Sequence, residues 1–330
     1  MSNIAIISVA HVHSHSFCKN LCELTPQKRP YVIWDSDAAR GAEYAAKYGT
    51  RFEPCLDKVA ADPAVDGFVV CAENTRHLPL LRKVLPVGKP VMCEKPLATS
   101  TVDVNEMTAL AAKHNTPLIS GYMLPFNPSN RAAKKAMASG DLGKVTHLHF
   151  RNAHHASYAR WFDNPQIAWF TDPALAGGGA LLDMGTHAVH QLCHLGGKVE
   201  SVWAHITNLS GAYPKVDDYG LILIKFKSGV VGRAEAGWVF TGGIGGLEII
   251  GSEQSIWNNG QHLVIGGPDK PAAPLADADS RPDRIHRLLA LVKGEIAKEE
   301  LAEDLAACAE AVRVTDAAYA SAKTGQWVKL

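Results

Sequence analysis

The chain has 330 residues, with 33 basic and 33 acidic side chains, zero formal net charge and 47% hydrophobic content. That length exceeds one ordinary core and predicts two domains, and the composition excludes a disordered or fibrous chain. No net positive field and no Lys/Arg run longer than pairs such as Lys134 and Lys135 argue against nucleic acid as a partner.

The first ten residues turn apolar without a basic leader, and His11, His13, Ser14 and His15 interrupt them too early for a signal peptide. No later stretch is apolar for long enough to span a membrane. The expected location is the cytoplasm. Seven scattered cysteines, an odd number, are not a disulfide framework.

Short apolar runs at Ile4–Val9, Tyr31–Trp34, Gly67–Cys71, Pro90–Cys93 and Pro117–Ser120 predict buried parallel strands. Helical patterns separate them, the clearest at Ala38–Tyr48 behind an Asp35-Ser36-Asp37 capping signal, with another at Asp103–His114. The alternation predicts an α/β fold, a doubly wound parallel sheet over residues 1–120. After a helix at Asn130–Ser139 the pattern changes. Lys144–Arg151, Val199–Asn208, Tyr219–Phe226, Val230–Trp238 and Leu247–Ile250 predict an open, mostly antiparallel sheet in an α+β domain over residues 121–330. Gly267–Asp283, rich in Pro, Ala and Asp, predicts a surface loop, and Ile285–Ala322 predicts helix broken near Lys298.

A dinucleotide fold carries three glycines after its first strand, for a tight turn and close approach of the pyrophosphate. Here those positions read Ser8, Ala10 and His13. The turn reads either as an altered cofactor turn or as a plain strand-to-helix connection. Asp35, at the end of the second strand, stands where a carboxylate accepts hydrogen bonds from the adenosine ribose and repels a 2'-phosphate, which favours NAD over NADP. It reads equally as a helix cap with Asp37.

Cys93-Glu94-Lys95-Pro96 resembles a motif of the Gfo/Idh/MocA oxidoreductases, the glucose-fructose oxidoreductase and inositol dehydrogenase group. Asn74 and His77 are similar to the family's pair after the fourth strand. Gly177-Gly-Gly-Ala-Leu-Leu-Asp183-Met-Gly-Thr-His187 resembles its second-domain motif, Ser139-Gly-Asp-Leu-Gly143 a turn, and Ala320-Ser-Ala-Lys-Thr-Gly325 its closing helix and strand. The resemblance implies a Rossmann domain followed by an open sheet that builds homodimers or homotetramers. It also implies an NAD-dependent dehydrogenase acting on a carbohydrate or polyol, with no metal. The chain departs from the family at the glycine turn, at Glu73 and at Leu124-Pro125.

The residues themselves support this chemistry. Lys95 follows an apolar strand and precedes Pro96, whose ring forces the preceding residue out of helical geometry and permits a cis bend. Its amine can hydrogen-bond an oxygen on which charge develops, although a surface lysine before a turn fits the pattern too. Asp183 and His187 lie four apart on one helical face, the spacing of a base and its orienter. His187 is the candidate base and Asp183 the residue that orients it or the substrate. A solvated polar stripe gives the same spacing.

The candidate cofactor set is Ser8, Ala10, His11, His13, Asp35, Asn74, His77, Glu94 and Lys95, with His11 the first choice for a phosphate contact. The candidate substrate set is Lys95, Trp161, Asp183, His187 and His190, with Arg131 and Trp169 as further pocket candidates. His190 and His194 continue the face of Asp183, which leaves a metal site as a lesser alternative. Two rivals remain: a metal-dependent hydrolase, prompted by His11-Val-His13-Ser-His15, and a nonenzymatic sugar- or nucleotide-responsive regulator of the same fold.

Overall fold

The computed structural model describes residues 2–330. The chain divides into two compact units, each built from three segments: one from the chain up to Tyr122, Asp163–Gly177 and Pro282–Ala309, the other from the remainder.

The first unit opens with β1 (Ile4–Ile7), α1 (Ser14–Leu24), β2 (Val32–Trp34), α2 (Ala38–Lys47), β3 (Arg51–Phe52) and α3 (Leu56–Ala61). β4 (Gly67–Val70), α4 (His77–Val84), β5 (Val91–Cys93), α5 (Thr101–Lys113) and β6 (Leu118–Ser120) follow. All six strands are parallel, in the order β3-β2-β1-β4-β5-β6. β1 and β4 are buried at every position, which is why they read as unbroken apolar runs rather than alternations. The five runs expected from the sequence are all strands. β3 is an additional one, too short to carry a period. Asp37 caps α2, accepting the amides of Ala39 and Arg40. The strand order reverses between β1 and β4, so the ligand crevice of such a sheet lies beyond their carboxyl ends.

The second unit opens with α6 (Pro128–Ser139) and β7 (Val145–Ala153). The chain then supplies α7 (Pro173–Ala176) to the first unit and continues through a π-helical turn, Leu181–Gly185, into α8 (Thr186–Gly196). β8 (Val199–Thr207), β9 (Tyr219–Phe226), β10 (Val231–Gly237), β11 (Gly246–Gly251), β12 (Ser255–Asn258), β13 (Leu263–Gly267) and β14 (Lys270–Pro274) come next. The chain then returns to the first unit with α9 (Arg284–Val292) and the start of α10 (Lys298–Thr324), while the rest of α10 and β15 (Val328–Lys329) belong to the second. The nine strands run β14-β13-β12-β11-β7-β10-β9-β8-β15, antiparallel except for the parallel pair β7–β10. Inward residues such as Phe150, Ile222, Ile224 and Ala234 pack with Val189 and Leu192 of α8 and Val314 of α10. The expectation of a loop over Gly267–Asp283 fails at β14. That strand holds two prolines and is exposed at all five positions, which an edge strand tolerates and a sequence pattern reads as loop.

No helix among the described residues is long and apolar enough to cross a membrane.

Candidate functional site

The turn after β1 keeps a glycine-type path without glycine. Ser8 has φ 69°, in the left-handed region that glycine fills freely and serine enters at a cost of about 1 kcal/mol. The Asp35 carboxylate supports it, accepting the Ser8 hydroxyl at 3.1 Å and the Val9 amide at 2.7 Å. The same carboxylate accepts the Asp37 amide at 2.7 Å, Arg40 Nε–H at 3.1 Å and one terminal Arg40 nitrogen at 2.7 Å. Asp35 is therefore the support of the turn, while Asp37 alone caps α2. Arg40 and Arg76 both approach Glu73, at 3.8 and 3.6 Å, and Arg76 donates to Ser36 Oγ at 2.8 Å. Neither arginine is marked by a motif, although Arg40 sits five residues after Asp35, one helical turn into α2.

At the end of β4, Asn74 donates through Nδ2 to the Ala176 carbonyl at 2.9 Å, while its buried Oδ1 has no hydrogen-bond partner. His77 joins two loops: Nδ1 lies 3.0 Å from the Pro96 carbonyl oxygen and Nε2 lies 3.2 Å from that of Ala72. Burial pushes the His77 pKa down, against the pull of the Glu94 charge. The Lys95–Pro96 peptide is cis, and Lys95 is 4% exposed, so it is no surface lysine. Beside it the fully buried Glu94 accepts the Lys95 amide at 2.7 Å through Oε2 and His13 Nδ1–H at 2.9 Å through Oε1. Burial alone would raise the Glu94 pKa, but His13, His11 and Lys95 hold it well below the usual carboxylate range. Position 121 is glycine because a Cβ there would lie 2.8 Å from Glu94 Oε2.

Ala10 and His11 are covered. The Trp169 indole N–H donates to the Ala10 carbonyl at 3.0 Å, Trp169 stacks on Phe170, and the His11 ring lies 5.9 and 5.4 Å from the two. Trp169 thus packs on the turn after β1 within the first unit. Arg131 is also otherwise engaged, bonding Asp279 through Nε at 2.8 Å and a terminal nitrogen at 3.0 Å.

In the second unit, Asp183 lies inside the π-helical turn and His187 in the first turn of α8. A π turn breaks the regular ladder and recurs at functional positions. Asp217 fixes it, a residue that no motif singled out. Its carboxylate accepts the amides of Gly179 at 2.9 Å and Leu181 at 2.8 Å and the Tyr319 hydroxyl at 2.9 Å, and its carbonyl accepts the Ala180 amide at 2.8 Å. Burial raises the Asp217 pKa, with those bonds opposing. Trp238 Nε1–H donates to Asp183 Oδ2 at 3.0 Å, aiming a carboxylate that is 9% exposed. His187 is half-buried.

His190 is 1% exposed, and burial, with His194, pushes its pKa down to about 3 from 6.5. His194 falls to about 4 by burial, with Lys134 and Arg131 adding. A histidine whose pKa is depressed by folding binds its proton more readily unfolded, so its stability contribution is complete above 6.5 and is lost as pH falls toward 3. Going from pH 7 to 5 should cost about 2 kcal/mol through His190 alone. Urea titrations at both pH values, with His190→Gln, check this: the variant should lose that share of the difference, and an unchanged difference would place the acid sensitivity elsewhere.

A groove of about 450 Å³ in this unit is lined by Asn152, His154, His155, Phe240 and the glycines after Thr241. Trp161, 45% exposed, rests its ring 4.8 Å from His154 and 5.3 Å from His155. Asn152 Nδ2 donates to the Met184 carbonyl at 3.0 Å, tying the end of β7 to the turn that carries Asp183. The His154-His155 pair just past a strand was the available sequence signal.

Residues 3–122 match the profile of an oxidoreductase family with an NAD-binding Rossmann fold, and residues 130–257 match the GFO/IDH/MocA C-terminal domain. The chain belongs to the GFO/IDH/MocA family. Among GFO/IDH/MocA-type relatives, 1,5-anhydro-D-fructose reductase of Ensifer adhaerens is 27% identical over 227 residues, 68% of this chain and 66% of that protein. Trans-1,2-dihydrobenzene-1,2-diol dehydrogenase of Mus musculus is 28% identical over 251 residues, 72% of this chain and 70% of that protein. The crystal structure of aldose-aldose oxidoreductase from Caulobacter crescentus, complexed with glycerol, shares the fold. Its TM-score is 0.82 at 22% identity, with both chains covered in full. Asn74, His77 and Lys95 fall within the family's Rossmann match, and Asp183, His187 and His190 within its C-terminal match.

Proposed function

We propose that this chain is an NAD-dependent oxidoreductase that moves a hydride between nicotinamide and a hydroxyl or ketone carbon of a sugar or cyclic polyol. The observation that carries the reading is the joint presence, in a chain of this family, of a sequestered Lys95 on a clamped loop and of Asp183 on a clamped π turn that leads straight into His187 of α8. The residues present fit a dinucleotide. Ser8 holds the left-handed turn, and the buried Asn74 Oδ1 lacks a hydrogen-bond partner at the carboxyl end of β4. Bound nicotinamide supplies the hydride acceptor or donor.

Lys95 donates a hydrogen bond to the reacting oxygen, favouring the charge that builds there. In the oxidative direction His187 Nε2 or Nδ1 takes the hydroxyl proton while the C–H bond breaks and the C=O bond forms. Asp183, aimed by Trp238, orients the substrate or the imidazole. We assign the hydroxyl-rich body of the substrate to the groove of Asn152, His154 and His155, with the Trp161 face against its CH groups. The similarity to a 1,5-anhydro-D-fructose reductase and a trans-1,2-dihydrobenzene-1,2-diol dehydrogenase agrees with that class.

Asp35, whose charge opposes a 2'-phosphate, supports NAD over NADP in this reading. The ribose hydroxyls would share that carboxylate with Arg40. Asp35→Ala should reduce the ratio of NAD to NADP efficiency at least about tenfold, because it removes the repulsion and frees Arg40 for the phosphate. Steady-state kinetics with both cofactors give the ratio, and an unchanged ratio removes the ribose argument.

The covered turn at Ala10 and His11 favours a second reading, a sugar-responsive regulator without turnover. A spectrophotometric scan of nicotinamide reduction over cyclic polyols, aldoses and anhydro sugars separates the two. Turnover with one class supports the enzyme. Nucleotide binding with no turnover on any of them supports the regulator.

A further inference from the structure

The proposed hydride transfer gives no chemical step to the His11-Val-His13 motif, and the fold brings a third donor to it from 81 residues away. We propose that His11, His13 and Glu94 form a zinc-class divalent-cation site at the start of α1. One donor atom from each residue lies within 4.8 Å of the others. Two imidazoles and a carboxylate are the donor set of open zinc sites, whose ligand atoms stand about 2.0–2.2 Å from the ion. Ligands at such distances are roughly 3.3–3.6 Å apart around a tetrahedral ion. The 2.9 Å between His13 and Glu94 and the 4.8 Å outer limit bracket that spacing, so closure needs shifts of about 1 Å.

The surroundings suit a cation. Glu94 is fully buried and its Oε2 is fixed by the Lys95 amide, which orients Oε1 toward His13. The His11 Nδ1 lone pair points at the His13 amide at 3.2 Å, a long contact that an ion can displace while the ring keeps its proton on Nε2. Trp169 and Phe170 wall the His11 ring, whereas the His13 side chain is 32% exposed and leaves a path from solvent and an open fourth position for water or an anionic oxygen.

This inference goes beyond the hydride-transfer reading and is tested without nucleotide or substrate. The chelator-treated full chain is titrated with Zn²⁺ by calorimetry, and with Co²⁺ while the visible spectrum is followed. The expected result is one equivalent of either ion, with the intense d–d bands of a four-coordinate Co²⁺ site. His13→Gln should weaken Zn²⁺ at least about tenfold with the circular dichroism unchanged. His149→Ala removes another imidazole–carboxylate pair, His149 with Glu248 at 2.7 Å, and should leave affinity unchanged. No stoichiometric uptake, or uptake whose affinity survives His13→Gln, overturns the proposal.

Discussion

Lys95→Ala is expected to cut kcat by about 10²–10⁴-fold while changing the Kd for NAD by less than about tenfold, and His187→Ala should behave alike. The asymmetry follows from where the two side chains act in the proposed reaction. The Lys95 ammonium serves the oxygen on which charge appears, and the His187 imidazole serves the proton that leaves it, so both matter more in the transition state than in the ground state. The loop of Lys95 is held independently of its side chain, by His77 on the Pro96 carbonyl and by Glu94 on the Lys95 amide. Removing the amine should therefore leave the cofactor crevice standing. Steady-state kinetics beside a direct nucleotide titration read the split, and equal loss in both would show that the roles are misassigned.

Gly179→Ala should destabilise the second unit by about 3 kcal/mol and reduce kcat about 10²-fold in whatever protein stays folded. A Cβ at 179 would lie 2.0 Å from the Asp217 carbonyl oxygen and 2.7 Å from its amide nitrogen, backbone atoms that cannot step aside as a side-chain tip can. Asp217 holds the turn through the amides of residues 179, 180 and 181, so the strain passes to Asp183 and His187. Urea denaturation, with activity measured below the variant's unfolding range, tests both parts. Wild-type stability together with wild-type turnover would show that the Asp217 clamp does not position the proposed catalytic pair.

The parallel half was legible because its strands are buried on both faces and its second helix carries a true cap at Asp37. The altered turn was legible only in part. Ser8, Ala10 and His13 mark the lost glycines, but the left-handed Ser8 and its support by Asp35 depend on a contact across 27 residues. Likewise Trp238 reaches Asp183 from 55 residues away and Asp217 reaches Gly179 from 38, distances at which local periodicity carries no signal. The spacing of Asp183 and His187 was read as regular helix, whereas the chain makes a π turn there, which depends on the Asp217 clamp rather than on propensity. Edge strand β14 was missed because Lys270-Pro-Ala-Ala-Pro274 has the composition of a loop and presents no buried face.

The most direct measurement follows deuterium from a polyol or sugar labelled at the carbinol carbon, with the nicotinamide product analysed by mass spectrometry. Direct hydride transfer predicts that wild-type protein places the label on the reduced ring and that His187→Ala does so far more slowly. Oxidised product with no label on the nicotinamide, or no label transfer from any polyol or sugar despite tight NAD binding, would contradict the account.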